Sequence, residues 1–168
     1  MVLLLTAATT VVSYLITVRI MNTHITGEII KRAESLSRSI ASAAGFNILS
    51  KDLLGLDNMV FKIKSSNPDI ERIAILGPEG NIIVDSDIQQ AGGTYTRAKG
   101  AVFKTGGDGT VIRETEGPSG RTFEIESPVV FMDKSLGSVV LGINRSVLTG
   151  AQKEARRKIG WLFGVVLV

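Results

Sequence analysis

Three patterns of hydrophobic and polar positions follow one another along the chain. Residues 1–18 (MVLLLTAATTVVSYLITV) carry no charge, and Arg19 is the first ionised side chain. From residue 20 to about 47 the apolar positions recur at helical intervals. Ile29, Ala33, Leu36, Ile40 and Ala43 form a seam, while Glu28, Lys31, Arg32, Glu34 and Arg38 fall off it. Such a seam packs on the domain's own sheet or on a second helix, and the pattern leaves both open at different heights. A second amphipathic helix is predicted from about Lys51 to Ser65, with Leu53, Leu56, Val60 and Ile63 on one face. Ser50 or Asp52 supplies its cap, and Pro68 ends it by disfavouring a helical residue before it.

Beyond Pro68 the helical period gives way to strand-like runs. Ile70 to Asp87 (IERIAILGPEGNIIVDSD) reads as a hairpin, with β-branched Ile73, Ile75, Ile82 and Val84 on either side of a Pro78–Gly80 turn. A polar, glycine-containing loop, 89–100, leads to short strands at 101–105, 110–116, 121–131 and 136–144. The connections GGDG and GPSG are turn sequences, so antiparallel meander pairing is expected. On the strand from 121, Phe123 and Ile125 alternate with Thr122, Glu124 and Glu126, which predicts one buried and one wet face. Gly137 and Gly142 would allow a helix or ligand to approach the last strand closely. Two helices, five or six antiparallel strands and an exit helix make an α+β fold, with the long helix packed on the sheet.

Composition narrows the function. The net charge is only +3 and aromatic residues are scarce, which argues against a nucleic-acid surface. The chain has no Cys and a single His, His24, so disulfides, thiolate metal sites and His-based triads cannot form within it. No cofactor motif is present: Gly92-Gly93 opens no phosphate-binding loop, and the GGDG turn lacks calcium-loop spacing. Enzymatic activity is not expected.

The ends are membrane-like. Residues 1–18 are near the short limit of a spanning helix, and they lack the basic start and small-residue cleavage site of a signal peptide. Residues 159–168 (IGWLFGVVLV) are too few to cross a bilayer, so the chain is expected to stop inside a second transmembrane helix, with Trp161 at its interface. The expected organisation is a span at 1–18, an entry helix at 19–49, a sensor core at 50–144, an exit helix at 145–158 and the second span from 159. One signal conflicts with an extracytoplasmic core: Lys153, Arg156, Arg157 and Lys158 directly precede the second apolar run, where the positive-inside rule would place them in the cytoplasm.

Candidate chemistry gathers after the hairpin. Asp85 and Ser86 end its second strand, where they line a pocket mouth or serve as ordinary turn residues; for Asp87 the turn role is favoured. Tyr95, Arg97 and Lys99 alternate along the loop and, if extended, point to one face. An arginine fork suits a small carboxylate, and Tyr95 would close one wall. Arg121 and Arg113 on the meander, and Arg72 among Ile70, Ile73 and Ile75, are further candidates. An inward Arg would need an acidic neighbour or an anionic ligand, whereas an outward one would imply nothing.

The order of elements, Glu79-Gly80-Asn81-Ile82-Ile83 before Asp85-Ser86, and Ser127-Pro128-Val129 before Leu136-Gly137-Ser138-Val139 together resemble the single-Cache sensor domains, over residues 20–158. These have a PAS-like fold and occur outside the membrane in bacterial chemoreceptors, histidine kinases and cyclic-nucleotide enzymes. The resemblance implies a homodimeric inner-membrane receptor with a periplasmic or extracellular sensor. It also implies a small-molecule ligand between the sheet and the loop after the hairpin, and a helix displacement passed to a kinase, chemotaxis or cyclase module. The expected ligand is a small anion of the carboxylate type, bound among Arg72, Asp85, Ser86, Tyr95, Arg97, Lys99 and Arg121. The alternatives are a membrane-tethered dimerisation module and a divalent-cation sensor.

Overall fold

The computed structural model describes residues 2–117, 120–144 and 157; for most of residues 2–25, and for 117, 120 and 121, it describes the backbone alone. The chain divides into two compact units, residues 1–30 with 146–168, and residues 31–145. The expected exit helix, apart from Arg157, and the apolar run 159–168 lie outside the described residues.

The two expected N-terminal segments form one helix, α1, Val2–Ser50. It stops where Lys51 takes a left-handed φ of 56°. Helix α2, Leu53–Ser66, then begins with the Asp52 side chain accepting the Gly55 N–H at 2.8 Å. Among the described residues no helix is long and apolar enough to cross a membrane.

The second unit is built on a six-stranded antiparallel sheet. Its strands are β1 (Ile70–Leu76), β2 (Ile82–Asp85), β3 (Gly100–Thr105), β4 (Val111–Gly117), β5 (Gly120–Phe131) and β6 (Lys134–Asn144). The spatial order is β2-β1-β6-β5-β4-β3. The expected meander accounts for β3 to β6, and β1 joins it by pairing with β6, the strand farthest from it in sequence. The β5–β6 connection turns on Met132 and Asp133, both at positive φ (48° and 61°), the twist a two-residue hairpin requires.

Directly opposed residues in antiparallel strands share a face. The register sets Ile112, Ile125, Leu141 and Ile73 in one row across β4, β5, β6 and β1, all fully buried. The next row, on the opposite face, reads Arg113, Glu124, Gly142, Arg72. The first face packs against α1. Ser37 donates to Ser127 Oγ at 2.8 Å with both hydroxyls buried, and buried Glu34 bonds Arg38 and Lys104. Of the expected seam, Ala33 and Ile40 are buried, whereas Ile29 and Leu36 are half-exposed and Ala43 is exposed. The buried stripe is turned by about one residue, to Glu34, Ser37, Ala41 and Ala44, because two of its members are polar. Gly137 does admit a close approach, by the backbone of β1 rather than by a helix or ligand: a Cβ there would stand 1.9 Å from the Leu76 carbonyl oxygen.

Candidate functional site

Strand alternation directs Arg72, Glu124 and Thr122 to the face away from the Ile125 row, and a cavity of about 430 Å³ stands over them. Gly142 sits between Glu124 and Arg72 in register, and its missing side chain leaves the floor open. With strands about 4.8 Å apart, that glycine separates the two charged residues by roughly 10 Å. Lys64 from the end of α2, together with Glu71, Ser86, Thr115, Glu116 and Val140, completes much of the wall.

The roof comes from the loop after the hairpin. After a single 3-10 turn, Ile88–Gln90, the chain doubles back beside β2: Ile82 N–H donates to Gly93 O, Gly92 N–H to Ile82 O and Tyr95 N–H to Gly80 O. Gly92, at φ 78°, makes the reversal possible. Tyr95 is thereby pressed on the apolar patch of Ala74, Leu76, Ile82 and Val140, with its ring 5.8 Å from the Arg72 guanidinium. Farther along, Arg97 binds Glu126 Oε1 at 2.7 Å and ties the loop to β5.

Arg72 grips Asp85 through Nε and Nη2, at 2.9 and 2.5 Å from Oδ2. The Asp85 side chain is fully buried and also accepts the Asp87 N–H. This bond outweighs the opposing effect of burial and holds the Arg72 pKa above its ordinary value. Ser86 lines the cavity while its Oγ accepts the Ile73 N–H. At Glu126 burial would raise the pKa, but hydrogen bonds from Arg97 and Arg113 prevail and keep the carboxyl below its usual range.

Two polar atoms are left to each other. Tyr95 Oη and Glu124 Oε1 are buried side by side, and neither has a further hydrogen-bond partner among the described residues. Burial first, and then hydrogen bonding and charge from the neighbouring Glu124 carboxylate, push the Tyr95 phenol well above its usual pKa.

Of the residues expected from sequence, Arg72, Ser86 and Tyr95 line the cavity, and Asp85 stands behind Arg72 as its counter-ion. Arg97 and Arg113 are both spent on Glu126, and Lys99 is exposed outside the lining. Arg121 lies opposite Glu116 on β5, and its side chain is outside the described part. Gly142, expected to admit a helix or ligand, lies in the cavity lining, whereas sequence reasoning missed Glu124, Thr122, Glu71 and Lys64. The alternation on β5 contained the signal for the first two, since the face assigned to water is the cavity floor. Among the described residues no three His, Asp or Glu side chains gather as metal ligands, which leaves the divalent-cation alternative without a ligand set there.

An antiparallel sheet with a helix behind it and a loop-roofed cavity in front defines an α+β domain built to enclose a small molecule. The family comparison makes this specific: residues 21–157 match the single cache domain 3 model, and the chain belongs to that family. It is a cache sensor domain of the type carried by signalling receptors, a sensing rather than a catalytic module. Solved structures share the fold at low identity. The sensor domain of E. coli DcuS has a TM-score of 0.59 at 14% identity, covering 78% of this chain and 98% of that one. The sensor domain of the V. cholerae histidine kinase DctB has 0.57 at 16%, covering 81% and 55%. The extracellular domain of the putative histidine kinase vpHK1S-Z8 has 0.54 at 14%, covering 89% and 63%. The chain therefore spans nearly all of the first structure and little more than half of the second. No curated protein matches the sequence significantly.

Proposed function

We propose that the chain is the periplasmic or extracellular sensing part of a bacterial membrane receptor, and that the cavity over Arg72, Gly142 and Glu124 receives a small polar ligand. The observation that carries this reading is the cavity itself. Its volume is in the range of small-molecule sites, and it holds a buried carboxylate and phenol, Glu124 and Tyr95, that have no partner in the described domain beyond each other. A carboxylate would be met by Lys64, whose ammonium also donates to the Ile70 carbonyl, and by Arg72, whose Nη1 is not used on Asp85. The anion-binding role expected for Arg97 passes to these two.

Ligand entry presses on the loop that carries Tyr95 and on the sheet, and α1 is the element that carries the displacement away. The uncharged stretch 1–18 serves as the anchor. A second copy of the chain covers the exposed apolar residues Phe46, Leu49, Leu53, Leu54 and Phe61 around the α1–α2 corner. The kinase, chemotaxis or cyclase output belongs to a cytoplasmic part of the receptor.

Calorimetry and thermal shift on the 168-residue chain in detergent micelles test the site. A small polar acid from a C2–C6 panel should raise the melting temperature, and Gly142→Leu, which fills the floor, should abolish that rise while leaving the chain folded. A ligand response that survives Gly142→Leu would move the binding site elsewhere.

A further inference from the structure

The cavity is unusual in where its charge is left over. Glu71, Asp87, Glu116 and Glu124 face Lys64 and Arg72 along the lining, four carboxylates against two cations, a formal surplus of two negative charges. Both cations already have acceptors, Arg72 in Asp85 and Lys64 in the Ile70 carbonyl. Glu71 and Asp87 are engaged as well, Glu71 by the Thr122 hydroxyl and Asp87 by the Gln89 N–H.

Glu124 differs from these. It is more than nine-tenths buried, its Oε1 has no partner among the described residues beyond Tyr95, and it lies across the glycine gap from Arg72. The nearby arginines Arg97 and Arg113 are committed to Glu126. A carboxylate taken out of water without a cation is costly, so the group that completes this environment is a charged donor. The Tyr95 hydroxyl stands beside it, but it is a neutral donor that leaves the carboxylate without a counter-charge, and its oxygen can also accept from a ligand.

We propose that the cavity recognises a small molecule bearing a protonated amine, with the ammonium seated on Glu124 and Tyr95 at the end of the cavity opposite Arg72. This deepens the preceding reading and rests on it: Lys64 and Arg72 hold one end of the ligand, Glu124 the other. Discrimination comes from the desolvated donor–acceptor pair, because a ligand without the amine leaves Glu124 unmatched.

The test uses the full chain in micelles with matched probes: γ-aminobutyrate and n-butylamine, which carry the amine, and butyrate and succinate, which do not. The amine-bearing probes should bind at least tenfold tighter than butyrate. Glu124→Gln should weaken γ-aminobutyrate at least tenfold and, by removing a negative charge from the lining, should tighten butyrate, so that the two probes move in opposite directions. The wild-type comparison needs no variant, so it decides the matter even if Glu124→Gln fails to fold. Butyrate or succinate binding as tightly as γ-aminobutyrate, or a folded Glu124→Gln that binds the amine as before, would overturn the amine assignment and leave the cavity as a binding site. Silence from all four probes would count against the amine assignment and against the carboxylate-binding cavity together.

Discussion

Leu141 and Gly142 are neighbours on β6 that belong to two different environments. Leu141 lies in a four-strand row of fully buried branched side chains on the face that packs on α1. Gly142 lies in the row behind it, where Glu124 and Arg72 flank a space instead of filling one. The helix-facing side uses its alternate residues to exclude water, while the cavity side keeps charges under a loop that is held by a few backbone hydrogen bonds. One set of strands therefore supplies rigidity on one face and vacancy on the other, and substitutions one residue apart should have unrelated consequences.

The largest separation is expected on that pair. Leu141→Ala should lower unfolding free energy by about 3 kcal/mol, as for a well-packed core leucine. Gly142→Ala should cost less than about 1 kcal/mol, because its Cβ would meet only ordinary contacts at 3.7 and 3.8 Å. Denaturant melts of both variants in micelles decide this, and equal losses would mean that the cavity side is packed as tightly as the other.

Next comes the charge on the cavity side. Arg72→Ala strands the fully buried Asp85 carboxylate and should cost about 2 kcal/mol, less than for a wholly enclosed pair because Arg72 is one-third exposed. The double change Arg72→Met with Asp85→Leu should recover most of that loss while abolishing any ligand response.

A smaller effect is expected from pH. The Glu126 carboxyl is held below its ordinary value of 4.5 in the folded state. The stabilisation is therefore complete above the unfolded value and fades as pH falls through the lower, folded one. Glu126→Gln should flatten this acid limb by about 1 kcal/mol, since the Arg97 partner is largely solvated. A wild-type profile unchanged by the substitution would show that the loop tie contributes no net stability.

The smallest change lies on neither face. Met132→Asn at the β5–β6 turn should stabilise by about 0.5 kcal/mol, because Asn tolerates the left-handed φ of 48° better than Met. A gain here with cavity responses intact would separate turn chemistry from both faces.

Much of this architecture was legible in the sequence because it follows from local rules. The period of two on β5, the Asp52 cap, the Pro68 stop and the hairpin turn each specify structure through neighbouring residues alone. The register of α1 was less legible, because Glu34 and Ser37 are buried by partners on the sheet, Lys104 and Ser127, that no periodicity reveals. The site was half legible for the same reason. Arg72, Ser86 and Tyr95 could be nominated as polar residues near the hairpin. Glu124 and Gly142 become a site only when β5 and β6 are set beside β1, and Arg97 leaves it because Glu126 arrives from another strand.

The pairing of β1 with β6 also governs how the domain is made. Ile70 to Leu76 meet Ser138 to Ile143, so this hydrogen-bonded seam joins segments more than sixty residues apart. During synthesis the helices and the first hairpin leave the ribosome long before the strand that shields them. At about 5–20 residues per second, that interval lasts roughly 3–15 seconds. Through it one side of β1 remains an open template for any passing strand. Closure should be the slow, high-contact-order step of folding, and the nascent chain needs protection there until Asn144 has emerged.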